Sequence, residues 1–126
     1  MENLHINATD YTPEIHLNAK TGILTISGES YHDQTMVIYK PVLEWLQEFL
    51  DSTEKEEVIL NLKMTYYNTV SSRRFLEMIE LLELYEQKRS IKAVVNWYYQ
   101  KDDVDMLESG REYYDNVNLA FNLLPY

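Results

Sequence analysis

The sequence predicts an α/β fold in which helices pack against a mixed β-sheet of about five strands. Apolar residues alternate in short runs near the N-terminus, which is typical of half-buried strands, and recur at helical spacing in longer runs further along. The chain has 126 residues, of which 45% are hydrophobic. This length and composition predict one domain spanning residues 1–126, with a core of its own.

The N-terminal part is expected to form three strands. Leu4–Ile6 is a short apolar run, and Glu14–Asn18 alternates apolar and polar residues. Ile23–Ser27 alternates in the same way after a turn at Ala19–Gly22, so the second and third strands form a hairpin with a longer loop. Gly28 is expected to end the third strand.

A first helix should follow, capped by Asp33 or Thr35 and reaching about Leu50. Pro41 lies within this span. Because proline lacks an N–H group and its ring clashes with the preceding turn, either the helix kinks at Pro41 or a shorter helix begins there.

The middle of the chain predicts a βαβ unit. Strand Val58–Met64, a helix from Phe75 to about Lys88 and strand Ile91–Tyr99 follow one another, so the two strands should be parallel with a right-handed crossover. Their C-terminal ends then meet at one sheet edge. Tyr66–Thr69 should therefore lie beside Trp97–Tyr99, at the edge where open α/β sheets place their sites.

The C-terminal part predicts a third helix over about Asp102–Asp115. Gly110 in its middle costs about 1 kcal/mol relative to alanine, which indicates either close packing or a break. Leu119–Leu124 forms either a final strand or a packed tail.

Composition excludes several partners. The formal charge of −10 repels nucleic acid and anionic membranes, and it favours a protein partner with a basic face. The chain has no cysteine, which excludes disulfides and thiolate metal sites and is in keeping with a cytoplasmic location. There is no long apolar run and no signal-peptide pattern, so we expect no membrane insertion.

The residues that could carry catalysis or bind a metal have simpler explanations. His5, His16 and His32 are far apart, and no nucleophile elbow or glycine-rich phosphate loop is present. The acidic cluster could ligate Mg²⁺ or Ca²⁺ through its oxygens, but its place in a first helical turn, where the helix dipole favours acids, also explains it. This cluster consists of Asp102, Asp103, Asp105 and Glu108.

A hydroxyl-rich segment joins the first strand of the βαβ unit to its helix. Thr65, Thr69, Ser71, Ser72 and the neighbouring Asn68 could simply cap the helix. Alternatively, one hydroxyl accepts a phosphoryl group, which adds about 1.5–2 negative charges. At the start of a helix, the helix dipole would stabilise this charge by about 0.3–1 kcal/mol.

A phosphate on Thr69 could pair with Arg73 or Arg74, one turn further on. It would change the electrostatics of a predicted aromatic surface, and so could switch a protein interface on or off. That surface consists of Tyr66, Tyr67, Tyr98 and Tyr99.

Several short segments, taken together in order and spacing, match a known family. They are Leu4–Ile6 with Thr12–Glu14, Pro41–Leu46, Tyr67–Thr69 with Ser71–Ser72, Val95–Tyr99 followed by Asp102–Gly110, and Phe121–Leu123. On these segments the sequence resembles the SiaC family of bacterial regulatory phosphoproteins. This family is similar to the STAS domains of anti-sigma-factor antagonists.

The resemblance implies a STAS-like fold and no catalytic activity, and we expect no cofactor or metal. It implies that Thr69 is phosphorylated by a dedicated protein kinase and dephosphorylated by a metal-dependent Ser/Thr phosphatase. The unphosphorylated form would bind and activate a diguanylate cyclase, raising cyclic di-GMP and promoting aggregation or biofilm growth. Val70 replaces the small hydroxyl residue expected after the phosphoacceptor, so Ser71 and Ser72 are secondary candidates.

Two other functions remain open alongside this one. The chain could be an anti-sigma-factor antagonist in a partner-switching circuit, or a metal-binding or enzymatic domain built on the acidic cluster. For the phosphorylation-switched regulator, the predicted partner-binding residues are Tyr66, Tyr67, Asn68, Arg73, Trp97, Tyr98, Tyr99, Asp102 and Asp103.

Overall fold

The computed structural model describes residues 1–33 and 35–126, and these contain one six-stranded sheet and three helices. The strands lie in the sheet in their chain order. They are β1 (Leu4–Ile6), β2 (Glu14–Asn18), β3 (Ile23–Ser30), β4 (Glu57–Tyr67), β5 (Lys92–Tyr99) and β6 (Ala120–Pro125). The helices are α1 (Thr35–Ser52), α2 (Thr69–Arg89) and α3 (Val104–Asn116).

The order of the strands explains why the helices cover one face of the sheet. β1, β2 and β3 are antiparallel neighbours, whereas β3 to β6 are parallel and are connected through α1, α2 and α3 in turn. Right-handed crossovers between successive neighbours put all three helices on the same side. Burial alternates accordingly along β2 and β5, whose side chains are buried on one face only.

The predicted mixed sheet, with helices packed against it, is confirmed. The sheet has six strands instead of about five, because the C-terminal segment adds β6 parallel to β5. The predicted parallel βαβ unit is present as β4, α2 and β5. β4 is longer than expected, however, and α2 begins at Thr69, well before the expected Phe75.

The expected end of β3 at Gly28 is wrong. β3 continues to Ser30 because the pairing with β4 shifts register after Gly28, where Met64 is opposite Gly28 and Tyr66 is opposite Glu29. Thr65 is the additional residue on β4. A bulge of this kind turns the side chains that follow it to the other face of the strand.

Pro41 lies inside α1, so the alternative of a shorter helix beginning there is wrong. The buried face of α1 extends on both sides of the proline, from Tyr39 to Leu50. Pro41 itself is exposed. Burial of the long apolar face outweighs the cost of an internal proline, which is about 3 kcal/mol.

Gly110 marks close packing, and α3 continues through it without a break. The buried Trp97 of β5 lies directly beneath this glycine and donates its Nε1–H to the carbonyl oxygen of Met106, 2.9 Å away. A Cβ at position 110 would lie 2.5 Å from Trp97 Cδ1 and 2.8 Å from Leu123 Cδ2. Glycine therefore lets α3 approach the sheet.

A buried hydroxyl network connects β3, α1 and α2. Ser30 Oγ lies 2.8 Å from Tyr39 Oη and 2.9 Å from Ser71 Oγ, and Ser71 Oγ donates to the carbonyl oxygen of Ser30. Burial raises the pKa of Tyr39 to about 12, against a smaller lowering by the hydrogen bond to Ser30. The network fixes the first turn of α2 against the sheet.

We expect Gly110→Ala to lower the free energy of unfolding by about 1–3 kcal/mol. The overpacking against Trp97 exceeds the gain of about 1 kcal/mol in helix propensity. Urea unfolding measures the change, with Glu108→Ala, an exposed residue on the same helix, as a control that should change it by less than about 0.5 kcal/mol. A Gly110→Ala protein as stable as the wild type would contradict the close approach.

We expect Tyr39→Phe to be less stable than the wild type near pH 8 and more stable than the wild type near pH 11.5. Because the folded pKa of Tyr39 is about 12 against an ordinary 10, its stabilising contribution is complete below pH 10 and is lost as pH rises through 12. Near pH 8 the variant should be about 1 kcal/mol less stable. Near pH 11.5, ionisation of Tyr39 alone should have lowered the free energy of unfolding of the wild type by about 2 kcal/mol. Urea unfolding across this range should show the two curves crossing, and a constant difference would contradict the assignment.

Candidate functional site

The site is built around the first turn of α2. Asn68 is the N-cap, with extended backbone, and its Oδ1 accepts a hydrogen bond from the Ser71 N–H at 2.9 Å. The Ser72 N–H donates to the Asn68 carbonyl oxygen at 3.0 Å. Neither Ser71 nor Ser72 is therefore the cap, and Thr69 becomes the first helical residue.

The three candidate phosphorylation residues differ in the accessibility of their hydroxyl groups. Ser71 is 0% exposed and its hydroxyl belongs to the buried network with Ser30. Ser72 is partly buried and its Oγ donates to the carbonyl oxygen of Thr69 at 2.8 Å. Thr69 is exposed, and its hydroxyl forms no hydrogen bond with residues 1–33 or 35–126. A modifying enzyme can therefore reach Thr69 without disturbing the fold.

Thr69 lies at the rim of a groove of about 1330 Å³ between α2 and α3. Aromatic Tyr67 and Tyr113 and apolar Leu76 and Met106 contribute to its lining. Its charged side chains are two arginines against five carboxylates, so the groove is acidic. They are Arg73, Arg74, Glu77, Glu80, Asp103, Asp105 and Glu112.

The two arginines that follow Thr69 differ in their surroundings. The Arg74 side chain is 12% exposed, forms a 2.8 Å ion pair with Glu77 and contacts the sulfur of Met36. Arg73 is exposed and forms no ion pair with the part of the chain that the structure describes. Of the two, Arg73 is therefore the one available to a phosphate on Thr69 or to a partner.

Tyr67 faces inward at the base of the groove. Its ring lies 5.3 Å from that of Phe75 and 5.8 Å from that of Trp97. Burial raises the pKa of Tyr67, Glu112 raises it further, and a hydrogen bond to Ser109 opposes both. Tyr67 thus stays a neutral phenol between α2 and α3.

Trp97, Tyr98 and Tyr66 do not form one exposed aromatic surface, contrary to the sequence prediction. Trp97 is 1% exposed, so it supports α3 from below and is not available to a partner. Tyr98 lies on the helix-free face of the sheet, as Tyr66 does, but its ring neighbours Tyr126 and Lys63, whose Nζ lies 5.9 Å from its ring. Tyr99 is partly buried at the end of β5. Neighbouring residues of a strand point to opposite faces, which divides the predicted aromatic surface.

Two further tyrosines adjoin Tyr66 and were not predicted from the sequence. The ring of Tyr31 lies 5.5 Å from that of Tyr66 and 5.4 Å from that of Tyr11. Pairing of β3 with β4 brings Tyr31 to this place, because it follows the last residue of β3. A parallel pairing of these two strands, had it been predicted, would have indicated the contact.

Tyr113, also not predicted, connects α3 to the first turn of α2. Its hydroxyl donates to the carbonyl oxygen of Ser72 at 2.9 Å, three residues after Thr69. Burial, and then the neighbouring Tyr67, raise the pKa of Tyr113, while the contact with Ser72 lowers it. The two helices that form the walls of the groove are therefore tied together beside Thr69.

The acidic residues after β5 act first as parts of a helix start. Asp103 Oδ1 accepts a hydrogen bond from the Met106 N–H at 3.0 Å and caps α3, while Asp102 is exposed just before the cap. The sheet brings His5 and His16 together, with ring centroids 5.2 Å apart, although they are distant in sequence. Within residues 1–33 and 35–126, no group of three His, Cys, Asp or Glu side chains is arranged to hold a metal ion.

No helix among the described residues is both long and apolar enough to cross a bilayer.

Known proteins resemble this chain over almost its whole length. The family described as SiaC family regulatory phosphoprotein matches residues 6–126. An uncharacterized protein of Pseudomonas aeruginosa strain UCBPP-PA14, PA14_02130, is 27% identical over 122 residues, covering 96% of this chain and 94% of that protein.

Solved structures give the same result. Apo-SiaC from Pseudomonas aeruginosa superposes with a TM-score of 0.89 at 27% identity, covering 98% of this chain and 99% of that one. SiaC in its complex with the diguanylate cyclase SiaD, whose activator it is, superposes with a TM-score of 0.91 at 25% identity, again covering 98% and 99%. The chain therefore belongs to the SiaC family of regulatory phosphoproteins.

Proposed function

We propose that the unmodified protein binds and activates a diguanylate cyclase, and that phosphorylation of Thr69 by a protein kinase ends this binding. A metal-dependent Ser/Thr phosphatase restores the active form. The observation that carries the assignment of Thr69 is its exposed hydroxyl, next to Ser71 and Ser72 whose hydroxyls are bonded within the fold. Similarity to a cyclase activator favours this function over that of an anti-sigma-factor antagonist.

A phosphate on Thr69, which adds about 1.5–2 negative charges, opposes partner binding for two reasons. It can pair with Arg73, one helical turn away, and so take this cation from a partner. A partner that covers Thr69 together with the exposed Val70 and Leu76 would also have to dehydrate the phosphate.

The phosphate is nevertheless stable where it forms. The N-terminus of α2 favours a negative charge by about 0.3–1 kcal/mol, and Arg73 adds a charge-assisted contact. The modified protein therefore stays folded and changes its surface only. Such a switch requires no rearrangement of the sheet.

We propose further that residues 1–126 act as one cytoplasmic regulatory domain without catalysis or a cofactor of its own. Within the described residues, no histidine lines the groove and the Ser71 hydroxyl donates to a backbone carbonyl. Neither feature suits an activated nucleophile, which needs a base within hydrogen-bond reach.

We expect Thr69→Ala to abolish phosphorylation by the cognate kinase. Intact-mass spectrometry should show one added phosphoryl group on the wild type and none on the variant. Ser72→Ala is the matched control, since it removes a neighbouring hydroxyl in the same turn, and it should be modified as fully as the wild type. Phosphorylation of Thr69→Ala to the wild-type extent would show that another residue is the acceptor.

We expect Thr69→Glu to weaken binding of the cyclase by at least about tenfold, which corresponds to about 1.4 kcal/mol. Thr69→Gln has nearly the same shape without the charge, and it should bind within about threefold of the wild type. Calorimetric titration measures both affinities, and cyclic di-GMP production reports activation. Equal losses in the two variants would attribute the switch to bulk and not to charge.

A further inference from the structure

Three tyrosines form a row beside the start of α2, which we call the tyrosine ladder, with the partly buried Tyr31 between two exposed rings. Tyr11, Tyr31 and Tyr66 contact one another in series, edge to face, with interplanar angles of 86° and 76°. Tyr11 is 55% exposed and Tyr66 is 53% exposed. Large aromatic side chains in a contiguous exposed group are typical of protein interfaces.

Core packing does not explain the ladder. The hydroxyls of Tyr39 and Tyr113 are bonded inside the fold. Within residues 1–33 and 35–126, by contrast, the hydroxyls of Tyr11 and Tyr66 have no hydrogen-bond partner. Removing either ring from the ladder would expose little buried surface.

The ladder is nevertheless held in place before any partner arrives. The Tyr31 N–H donates to the Tyr11 carbonyl oxygen at 3.0 Å. The loop that carries Tyr11 is closed by hydrogen bonds between Thr9 and Thr12, including one of 2.6 Å between their hydroxyls. A preorganised aromatic surface binds with a smaller entropic cost than a mobile one.

Two carboxylates, Glu29 and Asp10, lie beside the ladder. Partial burial raises the pKa of Tyr31, and the negative charges of Glu29 and Asp10 raise it further, as does a hydrogen bond with the Glu29 side chain. Glu29 is also the residue opposite Tyr66 in the β3–β4 pairing. A group that binds here therefore meets aromatic rings and acidic oxygens together.

We propose that the tyrosine ladder receives an arginine side chain from the protein partner. A guanidinium group stacks on an aromatic ring and can donate to a carboxylate at the same time, which an apolar or anionic group cannot do. Tyr66 lies three residues before Thr69. Between them, the Asn68 N–H donates to the Ser30 carbonyl oxygen, which holds the end of β4 against the end of β3. The ladder thus extends the proposed partner surface beyond the groove, and the assignment of the cyclase as that partner rests on the proposed function.

A titration with a short peptide tests the ladder without the cyclase. The probe is acetyl-Gly-Arg-Gly-amide, with the same peptide carrying norleucine in place of arginine as the uncharged control. The NMR ring signals of Tyr11, Tyr31 and Tyr66 should shift with the arginine peptide only, whereas those of Tyr114, which is 54% exposed on α3, should not. Equal shifts with both peptides, or none at the ladder, would overturn the proposal.

Affinity for the cyclase then tests whether the partner uses the ladder. Tyr66→Ala and Tyr11→Ala should each weaken binding of the unmodified protein about five- to tenfold. Tyr66→Phe, which keeps the ring, should bind within about twofold of the wild type, and so should the control Tyr114→Ala. Wild-type affinity in Tyr66→Ala would refute the ladder as a partner contact, while leaving the Thr69 switch intact.

The charge of the occupant is tested separately. Glu29→Gln should weaken cyclase binding about threefold at low salt, and this loss should shrink as the ionic strength rises. A double-mutant cycle between Tyr66→Ala and arginine-to-methionine changes in the cyclase should identify one arginine with a coupling of at least about threefold. If Tyr66→Ala weakens binding but no arginine couples to it, the occupant is not an arginine.

Discussion

The parallel pairing of β3 with β4, with its register shift after Gly28, is the constraint on which the site depends. It places Ser30 against α2, where its hydroxyl meets Ser71. The extra residue on β4 turns Tyr67 toward the helices and leaves Tyr66 outside. Without the bulge, the alternation along β4 would place Tyr66 in the core and Tyr67 in solvent. One inserted residue therefore decides which aromatic side chain supports the groove and which one is exposed.

The hydroxyl-rich turn shows how local geometry divides similar residues among different tasks. Asn68 provides the cap, Ser71 joins the first turn to the sheet, and Ser72 is bonded within the turn. The exposed Thr69 is not needed for any of these contacts. A residue that carries a reversible modification must be accessible in the folded state, and the fold is more stable if no buried group depends on it.

Charge and packing act at different places around this turn. α3 is held on the sheet by the close approach of Gly110 to Trp97 and is connected to α2 by the bond between Tyr113 and Ser72. These contacts lie within the fold and hold the two walls of the groove together. The charges lie on its exposed walls, where a phosphate changes the surface that a partner meets without disturbing the packing below.

The sequence alone determined the order and type of the main elements, because apolar periodicity depends on neighbouring residues. The βαβ unit and the closeness of Tyr67 to Trp97 followed from it, and family resemblance singled out Thr69. Only the tertiary structure decided that Trp97 is buried, that Tyr98 lies beside Lys63 and that Ser71 is inaccessible. It also brought Tyr11 and Tyr31 to Tyr66. These outcomes depend on the register between strands that are distant in sequence, and a shift of one residue reverses the face on which each side chain lies.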